Sequence, residues 1–470
     1  MDSEKRNMRI MDMTKGNSVK QILIFAIPLF IGNIFQQVYS MVDTMVAGYN
    51  LGNSAIAAIG VTSSLYALLI DFASGFNSGC AIVVTQCFGS HDKKKMKASI
   101  AGMMELDLLI TIILTVISLV FLRPLMQFMN TPESIFEQAY SYIVIICAGM
   151  AATILYNMFS GILRAFGNSM TSLYFLMLSS ALNMGMDVLF IVVFRMGIAG
   201  AAFATVIAEG ISAVLSGIYV YRHYRTMLPE KKDFVVAKKG IAELFVNGMA
   251  MALMYCVVDI GSVIFQRANN HLGEIIISAH TASRRIIGIM MQPLATISTA
   301  SSTFIGQNWG AGKRKRIHTA LKQVTIMEIA WSLFSCGLVY TFGGVLVHIT
   351  TGSSDIEMIS NAVMSLRWHL SFFPALGCLL VLRTAMQAMG NKTAPILSSC
   401  IELGMKIMSA IWLIPHLGFF GTCITEPVTW VVMLIFLAVA YAFSQKTSNY
   451  ITDEEVHYDR GRKIRRRTLL

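Results

Sequence analysis

Long apolar blocks alternate with short polar connections along the whole of this 470-residue chain. The blocks are about twenty to thirty residues long, the length a helix needs to cross roughly 30 Å of hydrocarbon. A transmembrane β-barrel would instead give short segments of alternating hydrophobicity, and the sequence does not contain them. The pattern therefore predicts an all-α integral membrane protein with twelve transmembrane helices.

The positions of the apolar blocks define the predicted spans. The first block begins near Val19 and continues past Pro28 to about Val46. That length exceeds the apolar core of a signal peptide, so we expect a retained first helix. The predicted spans are residues 19–46, 54–87, 97–122, 133–160, 168–194, 199–222, 239–266, 275–305, 317–346, 356–386, 393–416 and 421–444.

The connections between the spans alternate between strongly basic and nearly neutral. Every second connection carries a basic cluster, whereas the others carry mainly Arg123, Arg195 and Arg267. Because positively charged loops remain in the cytoplasm, we expect the clusters and both termini to be cytoplasmic. The clusters lie at residues 5–20, 93–97, 222–239, 313–316, 392 and 465–467.

The composition agrees with this assignment. Of all residues, 55% are hydrophobic and only 13% are charged, whereas soluble domains carry roughly 25% charged residues. The net charge of +11 comes mostly from the basic connections, which we expect to contact anionic lipid headgroups rather than nucleic acid. The eight cysteines lie inside apolar blocks without CxxC spacing, so we expect buried free thiols.

The chain also repeats itself. Four short motifs return in the same order in the second half, at separations between 216 and 223 residues. Six predicted spans separate the copies, and this even number predicts parallel repeats related by an axis along the membrane normal. The first copies lie at residues 39–43, 88–89, 164–168 and 197–200. The second copies lie at residues 255–259, 305–306, 387–391 and 418–421.

The repeat predicts two six-helix lobes joined by a basic linker. Two such lobes suit alternating access, in which they rock about a site near the membrane midplane. The sequence contains no run that resembles a channel filter and no HExxH, DDxxD or GxSxG motif, so we expect a transporter and not an enzyme. The predicted units are residues 1–225 (amino-terminal lobe), 226–238 (cytoplasmic linker), 239–445 (carboxy-terminal lobe) and 446–470 (basic tail).

Ionisable residues within predicted spans are candidates for function, because each costs about 2.5–3.5 kcal/mol to insert. Asp43 lies late in the first span, Asn183 and Asp187 lie four residues apart on the fifth, and Thr205 lies on the sixth. These oxygen ligands suit a hard cation such as Na⁺, and two neighbouring carboxylates suit a proton. The alternative is structural: Asp43 caps its helix and Asp187 bonds to backbone.

The second lobe carries different chemistry at the matching positions. Asp259 matches Asp43, Lys406 matches Asn183, and Glu426 matches Thr205. We hypothesise that Lys406 forms a buried ion pair with Asp259 or Glu426, the alternative being that it snorkels to the interface. Asp71 on the second span is a candidate for the substrate path. Two further acids, Glu209 and Glu328, are expected near the membrane interfaces.

Four stretches of sequence carry a family resemblance. They resemble the multidrug and toxic compound extrusion (MATE) family, and in particular its DinF-like branch. The resemblance implies an inner-membrane antiporter that exports cationic or amphipathic organic compounds in exchange for H⁺ or Na⁺, without a resident cofactor. It also implies that Asp43, Asn183, Asp187 and Thr205 form a cation site in the amino-terminal lobe. The stretches are residues 42–48, 163–168, 183–190 and 197–202.

A flippase for lipids or lipid-linked sugars, from the same superfamily, is the alternative function. The cavities of such flippases tend to be lined by arginine and lysine. The acid-rich spans of this chain favour cationic cargo by charge complementarity. We therefore expect small organic cations as substrates, membrane lipids as the surroundings, and a monomer in the plasma membrane.

Overall fold

The computed structural model describes residues 10–129, 131–238 and 240–467, with side chains through residue 445 except those of residues 44 and 53. Within these ranges the regular structure is helical and contains no β-strand, as the sequence predicts. The helices of the first half are α1 (Ser18–Leu51), α2 (Asn53–Gly89), α3 (Lys93–Phe128), α4 (Glu133–Ala148), α5 (Met150–Ala165), α6 (Ser169–Asp187) and α7 (Ile198–His223).

The second half follows a short connecting helix, α8 (Lys231–Ala237). The last helix of this half continues past residue 445, where side chains are no longer described. The helices are α9 (Ile241–Asn269), α10 (Glu274–Gly310), α11 (Arg314–Thr351), α12 (Ile356–Ser371), α13 (Phe373–Ala388), α14 (Thr393–Met408), α15 (Ile414–Leu417) and α16 (Phe419–Arg467).

The structure contains the twelve predicted spans, although hydropathy alone finds fewer of them. Among the described residues, nine helical segments are long and apolar enough to cross a membrane. The pairs α4–α5 and α12–α13 each form one more span, bent by 47° and 48°. Helix α10 supplies the twelfth span: it has 37 residues, but polar side chains such as Arg284 and Arg285 lower its hydropathy.

The two halves share the same irregularities. The bend between α4 and α5 has its counterpart between α12 and α13. A π-helical turn follows α6 at Val188–Val193, and another follows α14 at Ser409–Leu413. Such turns are frequent at functional sites, because they rotate the residues on either side relative to a regular helix. Both turns come directly after the intramembrane polar residues that the sequence singles out.

The halves meet most closely where α2 packs against α9. Small residues allow this approach, as is usual between membrane helices. A Cβ atom added at Gly75 would lie 2.9 Å from the Cα of Ala252, and one added at Gly79 would overlap the carbonyl group of Asn247. We call this α2–α9 contact the seam.

The halves also close over each other at the end that carries the basic connections, here called the basic end. The chain segment before α1 crosses between the halves there: the Met11 amide donates to the Phe166 carbonyl (3.3 Å). The Met13 amide donates to Oε1 of Gln307 (2.9 Å), whose Nε2 in turn donates to the Ala165 carbonyl (3.1 Å). The two halves are therefore tied together at the basic end.

Substituting Gly79 with valine tests the seam. The added methyl groups would force α2 away from α9, and overpacking of this kind costs about 1–3 kcal/mol. We expect a lower melting temperature for the purified Gly79→Val protein in detergent and weaker transport. Gly60→Val is the matched control on the same helix, because a Cβ atom there meets nothing within 4 Å. Equal melting temperatures for the two variants would contradict the close packing of the seam.

Candidate functional site

A polar chamber lies within the first half, between α1, α2, α5, α6 and α7. Its volume is about 410 Å³. Tyrosine, amide and hydroxyl groups line it, together with the carboxyl group of Glu209. The lining residues, all within the described ranges, include no lysine or arginine. The chamber is therefore a polar space with an acidic character. Its polar lining residues include Gln36, Tyr39, Tyr66, Tyr156, Asn157, Asn183 and Thr205.

Two of the four predicted site residues form one wall of the chamber. The Nδ2 atom of Asn183 donates to Oγ1 of Thr205 over 3.2 Å, which joins α6 to α7. The Thr205 hydroxyl in turn donates to the carbonyl of Ala201 (3.1 Å). The Oδ1 atom of Asn183 is buried and has no hydrogen-bond partner in the described part of the chain. An amide oxygen is thus left available for a ligand.

The other two predicted residues form a carboxyl pair. The side chains of Asp43 on α1 and Asp187 on α6 are within hydrogen-bonding reach of each other. Asp187 is fully buried, and neither of its carboxyl oxygens meets a hydrogen-bond donor among the described residues. Two ionised carboxylates in contact repel each other, so the pair is stable only with a shared proton or a bound cation. This pair has the chemistry of an ion site.

The structure thus brings all four predicted residues into one region. Asn183 and Asp187, one helical turn apart, share a face of α6, and their partners come from α7 and α1. The structural alternative fails on both counts. Helix α1 ends at Leu51, two turns beyond Asp43, and Asp187 accepts no hydrogen bond from the described backbone. Occupation of the site by an ion remains a prediction.

Glu209 belongs to the same chamber, and its expected place near the membrane interface is wrong. Its carboxylate accepts a hydrogen bond from the Thr153 hydroxyl and faces the chamber. Tyr39, which lines the chamber, interacts electrostatically with Glu209, Asp43 and Asp187. The three acids therefore lie around the same chamber. The signal was available in the sequence, because Glu209 lies in the middle of a predicted span.

Glu328 is likewise buried and not interfacial. It is 0% exposed and accepts a hydrogen bond from the Ser298 hydroxyl (3.1 Å). A Cβ atom added at Gly377 would lie 2.9 Å from the Glu328 Cβ, so α11 and α13 pack tightly at this carboxyl. As for Glu209, the sequence contained the signal, because Glu328 lies well inside the predicted span 317–346.

The predicted ion pair of Lys406 exists with a different partner. Its Nζ atom contacts Oε1 of Glu402 (3.0 Å) and donates to Oγ of Ser262 (3.0 Å). Glu402 lies one turn earlier on α14 and takes up the ammonium group, so pairing with Asp259 or Glu426 is wrong. Snorkelling is also wrong, because Lys406 is only 3% exposed.

Glu426 is neutralised by other residues. Nη1 of Arg284 contacts its carboxylate directly, and Nε2 of His369 lies 3.4 Å from the same oxygen. Arg284 comes from α10 and His369 from α12, so this cluster holds three helices of the second half together. The position that matches Thr205 in the first half has therefore become part of a fixed charge cluster.

Asp71 and Asp259 form a second carboxyl pair. Asp71 lies on α2 and Asp259 on α9, and their side chains are within hydrogen-bonding reach. Unlike the Asp43–Asp187 pair, this one joins the two halves. Lys406 acts electrostatically on Asp259 although it is bonded to Glu402. The sequence named both acids but gave no sign that they meet.

A central cavity of about 250 Å³ lies between the halves, toward the basic end. Arg164 lines it and donates to the Ser160 hydroxyl (2.9 Å). Its described lining contains no lysine, aspartate or glutamate and consists otherwise of hydroxyl, amide and apolar groups. Tyr255, Asn33 and Gln387 contribute from three different helices. The central cavity thus has a basic character, in contrast to the acidic chamber.

Comparison with known proteins agrees with this architecture. The MatE family model matches residues 28–189 and 250–412, one segment in each half. "Probable multidrug resistance protein YpnP" of Bacillus subtilis (strain 168) is 29% identical over 82% of this chain and 85% of its own length. "Multidrug export protein MepA" of Staphylococcus aureus (strain MSSA476) is 22% identical, over 85% and 89%.

Solved structures share the fold. An outward-facing multidrug resistance MATE family transporter of the MOP superfamily has a TM-score of 0.84 at 20% identity, covering 94% of this chain and 99% of its own. A MATE structure in a bent conformation has a TM-score of 0.85 at 20% identity, covering 93% and 98%. At this identity the likeness establishes the fold alone.

Replacing Lys406 with methionine tests the corrected ion pair. Removing Lys406 leaves the largely buried Glu402 with only the more distant Arg383 guanidinium (3.8 Å), and we expect a loss of about 3 kcal/mol in the free energy of unfolding. Chemical or thermal unfolding of the purified protein measures it. Adding Glu402→Gln to Lys406→Met should restore part of the loss. Adding Glu426→Gln instead is the control and should restore nothing; restoration by that change would overturn the assigned pairing.

Proposed function

Because the chain belongs to the MatE family, we propose that it is a secondary active antiporter that exports cationic or amphipathic organic compounds in exchange for H⁺ or Na⁺. The names of its relatives, which include a multidrug resistance protein and a multidrug export protein, support drug-like cargo. Two halves that meet at a seam and enclose polar cavities suit alternating access.

The single observation that carries the coupling proposal is the Asp43–Asp187 pair. Two carboxyl groups in contact, of which Asp187 meets no donor in the described structure, need a proton or a cation between them. Asn183 and Thr205 add neutral oxygens that a Na⁺ ion accepts as ligands. Loss of the ion leaves two repelling carboxylates, a state that an organic cation in the adjoining chamber would stabilise. Ion and cargo therefore compete for the same negative charge.

The alternative function, a flippase for lipids or lipid-linked sugars, has one observation in its favour. Arg164 faces the central cavity without a carboxylate in the described lining, and a guanidinium group suits a phosphate. The acidic chamber has no evident use in moving an anionic headgroup. We therefore rank export of cationic compounds first.

We propose that the basic end lies in the cytoplasm, with both termini on that side of the plasma membrane. The positive-inside rule supports this orientation, because the clusters at residues 93–97 and 313–316 both lie at that end. The α2–α3 and α10–α11 connections carry them. The protein works as a monomer in this proposal, since both halves of the site are on one chain.

Efflux of ethidium from proteoliposomes tests the function. Imposed pH and Na⁺ gradients are compared for the wild type and for Asp43→Asn and Asp187→Asn. We expect gradient-driven efflux from the wild type and a loss of at least about tenfold in each variant, because an amide cannot exchange the coupling ion. Glu357→Gln, at an exposed acid in the first turn of α12, is the control and should retain efflux.

Two outcomes would change the proposal. Normal pumping by both aspartate variants would exclude the Asp43–Asp187 pair as the coupling site. Movement of a fluorescent anionic lipid across the membrane, with no movement of ethidium under any gradient, would favour the flippase.

A further inference from the structure

The seam between the halves ends close to the Asp71–Asp259 pair. The Cys256 thiol lies 4.0 Å from the Leu68 carbonyl oxygen, and the contact continues through Gly75 and Gly79 toward the basic end. Asp71 and Asp259 each lie within a turn of the Leu68–Cys256 contact. The pair therefore sits at the end of the seam farther from the basic end.

Beyond this point both helices have open positions. A Cβ atom added at Gly60 on α2 would meet nothing within 4 Å. On α9, Val263 is 52% exposed. We therefore take this end of the seam, at Asp71 and Asp259, as the vertex about which the halves can separate. A small change in this contact alters how far the halves can separate.

The charges around the pair do not neutralise it. Glu402 and Lys406 face it from α14, and the Lys406 ammonium is bonded to Glu402 and Ser262. Arg383 on α13 lies 3.8 Å from the second oxygen of Glu402. Lys406 and Arg383 thus both contact Glu402, and neither contacts Asp71 or Asp259 directly. The remaining titratable neighbours are Tyr255 and Cys256 on α9 itself and Arg164 on α5, which acts on Tyr255.

The balance of charge leaves room for one proton. Asp71, Asp259 and Glu402 supply three negative charges against the two positive charges of Lys406 and Arg383. The Oδ2 atom of Asp259 is buried and has no hydrogen-bond partner in the described structure. A single proton between the two aspartates neutralises the cluster and turns a repulsion between the halves into a hydrogen bond.

We propose that Asp71 and Asp259 share a proton across the seam, and that this proton holds the two halves together at the vertex. When the proton leaves for water, the two carboxylates repel and the halves separate there. This contact is distinct from the Asp43–Asp187 pair, which lies within one half. The inference rests on the proposed function only in assigning a use to the movement: it links proton occupancy to the relative position of the halves.

A disulfide reporter measures closure at this point. Leu68→Cys places a second thiol on the residue whose backbone carbonyl contacts the native Cys256 thiol, one turn from the pair. The variant is reconstituted into liposomes, oxidised with copper phenanthroline between pH 6 and pH 9, and the 68–256 crosslink is quantified by peptide mass spectrometry. Thiol oxidation itself becomes faster as pH rises, because the thiolate is the reactive form. A fall in crosslinking with pH therefore reports separation.

We expect the crosslink yield of Leu68→Cys to fall at least about fivefold across this range, as the protonated population declines. With Asp71→Asn added, an amide donates permanently to Asp259, and the yield should stay high at every pH. Asp259→Asn is the reciprocal variant and should behave alike. Glu357→Gln in the same background is the control and should keep the pH dependence.

Three results would overturn the proposal. A yield that does not fall with pH in the Leu68→Cys background, or a fall that persists in both asparagine variants, would overturn the proposal. A yield that responds to Na⁺ at constant pH and not to pH would also overturn it. Ethidium efflux measured on the same reduced samples separates the two hypotheses. Efflux without a pH-dependent crosslink refutes the shared proton, whereas a pH-dependent crosslink without efflux refutes the export function.

Discussion

Unpaired carboxyl groups inside a hydrocarbon layer are the constraint on which this protein depends. Asp43 and Asp187 are held against each other by α1 and α6, and neither carboxyl oxygen of Asp187 meets a described donor. Removing an ionised group from water is costly unless an opposite charge or a proton accompanies it. The first half therefore has a standing requirement for an ion. In the second half, two largely buried acids are neutralised by ion pairs instead: Glu402 pairs with Lys406, and Glu426 pairs with Arg284.

This difference suggests that the two halves, although similarly built, have different roles: ion exchange in the first half and rigidity in the second. Both halves have a bent span and a π-helical turn at matching places. At the positions that match Asn183 and Thr205, however, the second half carries Lys406 and Glu426, and both are paired with charged side chains. An exchangeable ion can drive a cycle, whereas a fixed ion pair supplies rigidity. The seam then carries any movement of one half to the other, because α2 and α9 approach as closely as glycine permits.

Sequence patterns were sufficient for the spans and for the members of the first site. Blocks of apolar residues reveal membrane helices directly, and the four-residue spacing of Asn183 and Asp187 places them on one face. The sequence was less informative about which charged side chains contact each other. The repeat aligned Lys406 with Asn183 but could not show that Glu402, one turn away, lies nearer than Asp259. The meeting of Asp71 with Asp259 depends on the rotation of α2 against α9, and no local pattern contains that information.

The most direct measurement is the ion released when cargo binds. Tetraphenylphosphonium is added to the purified protein in weakly buffered detergent solution, with a pH indicator and a Na⁺ electrode recording together. If the Asp43–Asp187 pair exchanges its ion for cationic cargo, binding releases H⁺ or Na⁺ from the wild type. The Asp43→Asn/Asp187→Asn double variant should then release neither. Cargo binding that releases no ion from the wild type, or the same amount from the double variant, would contradict the exchange.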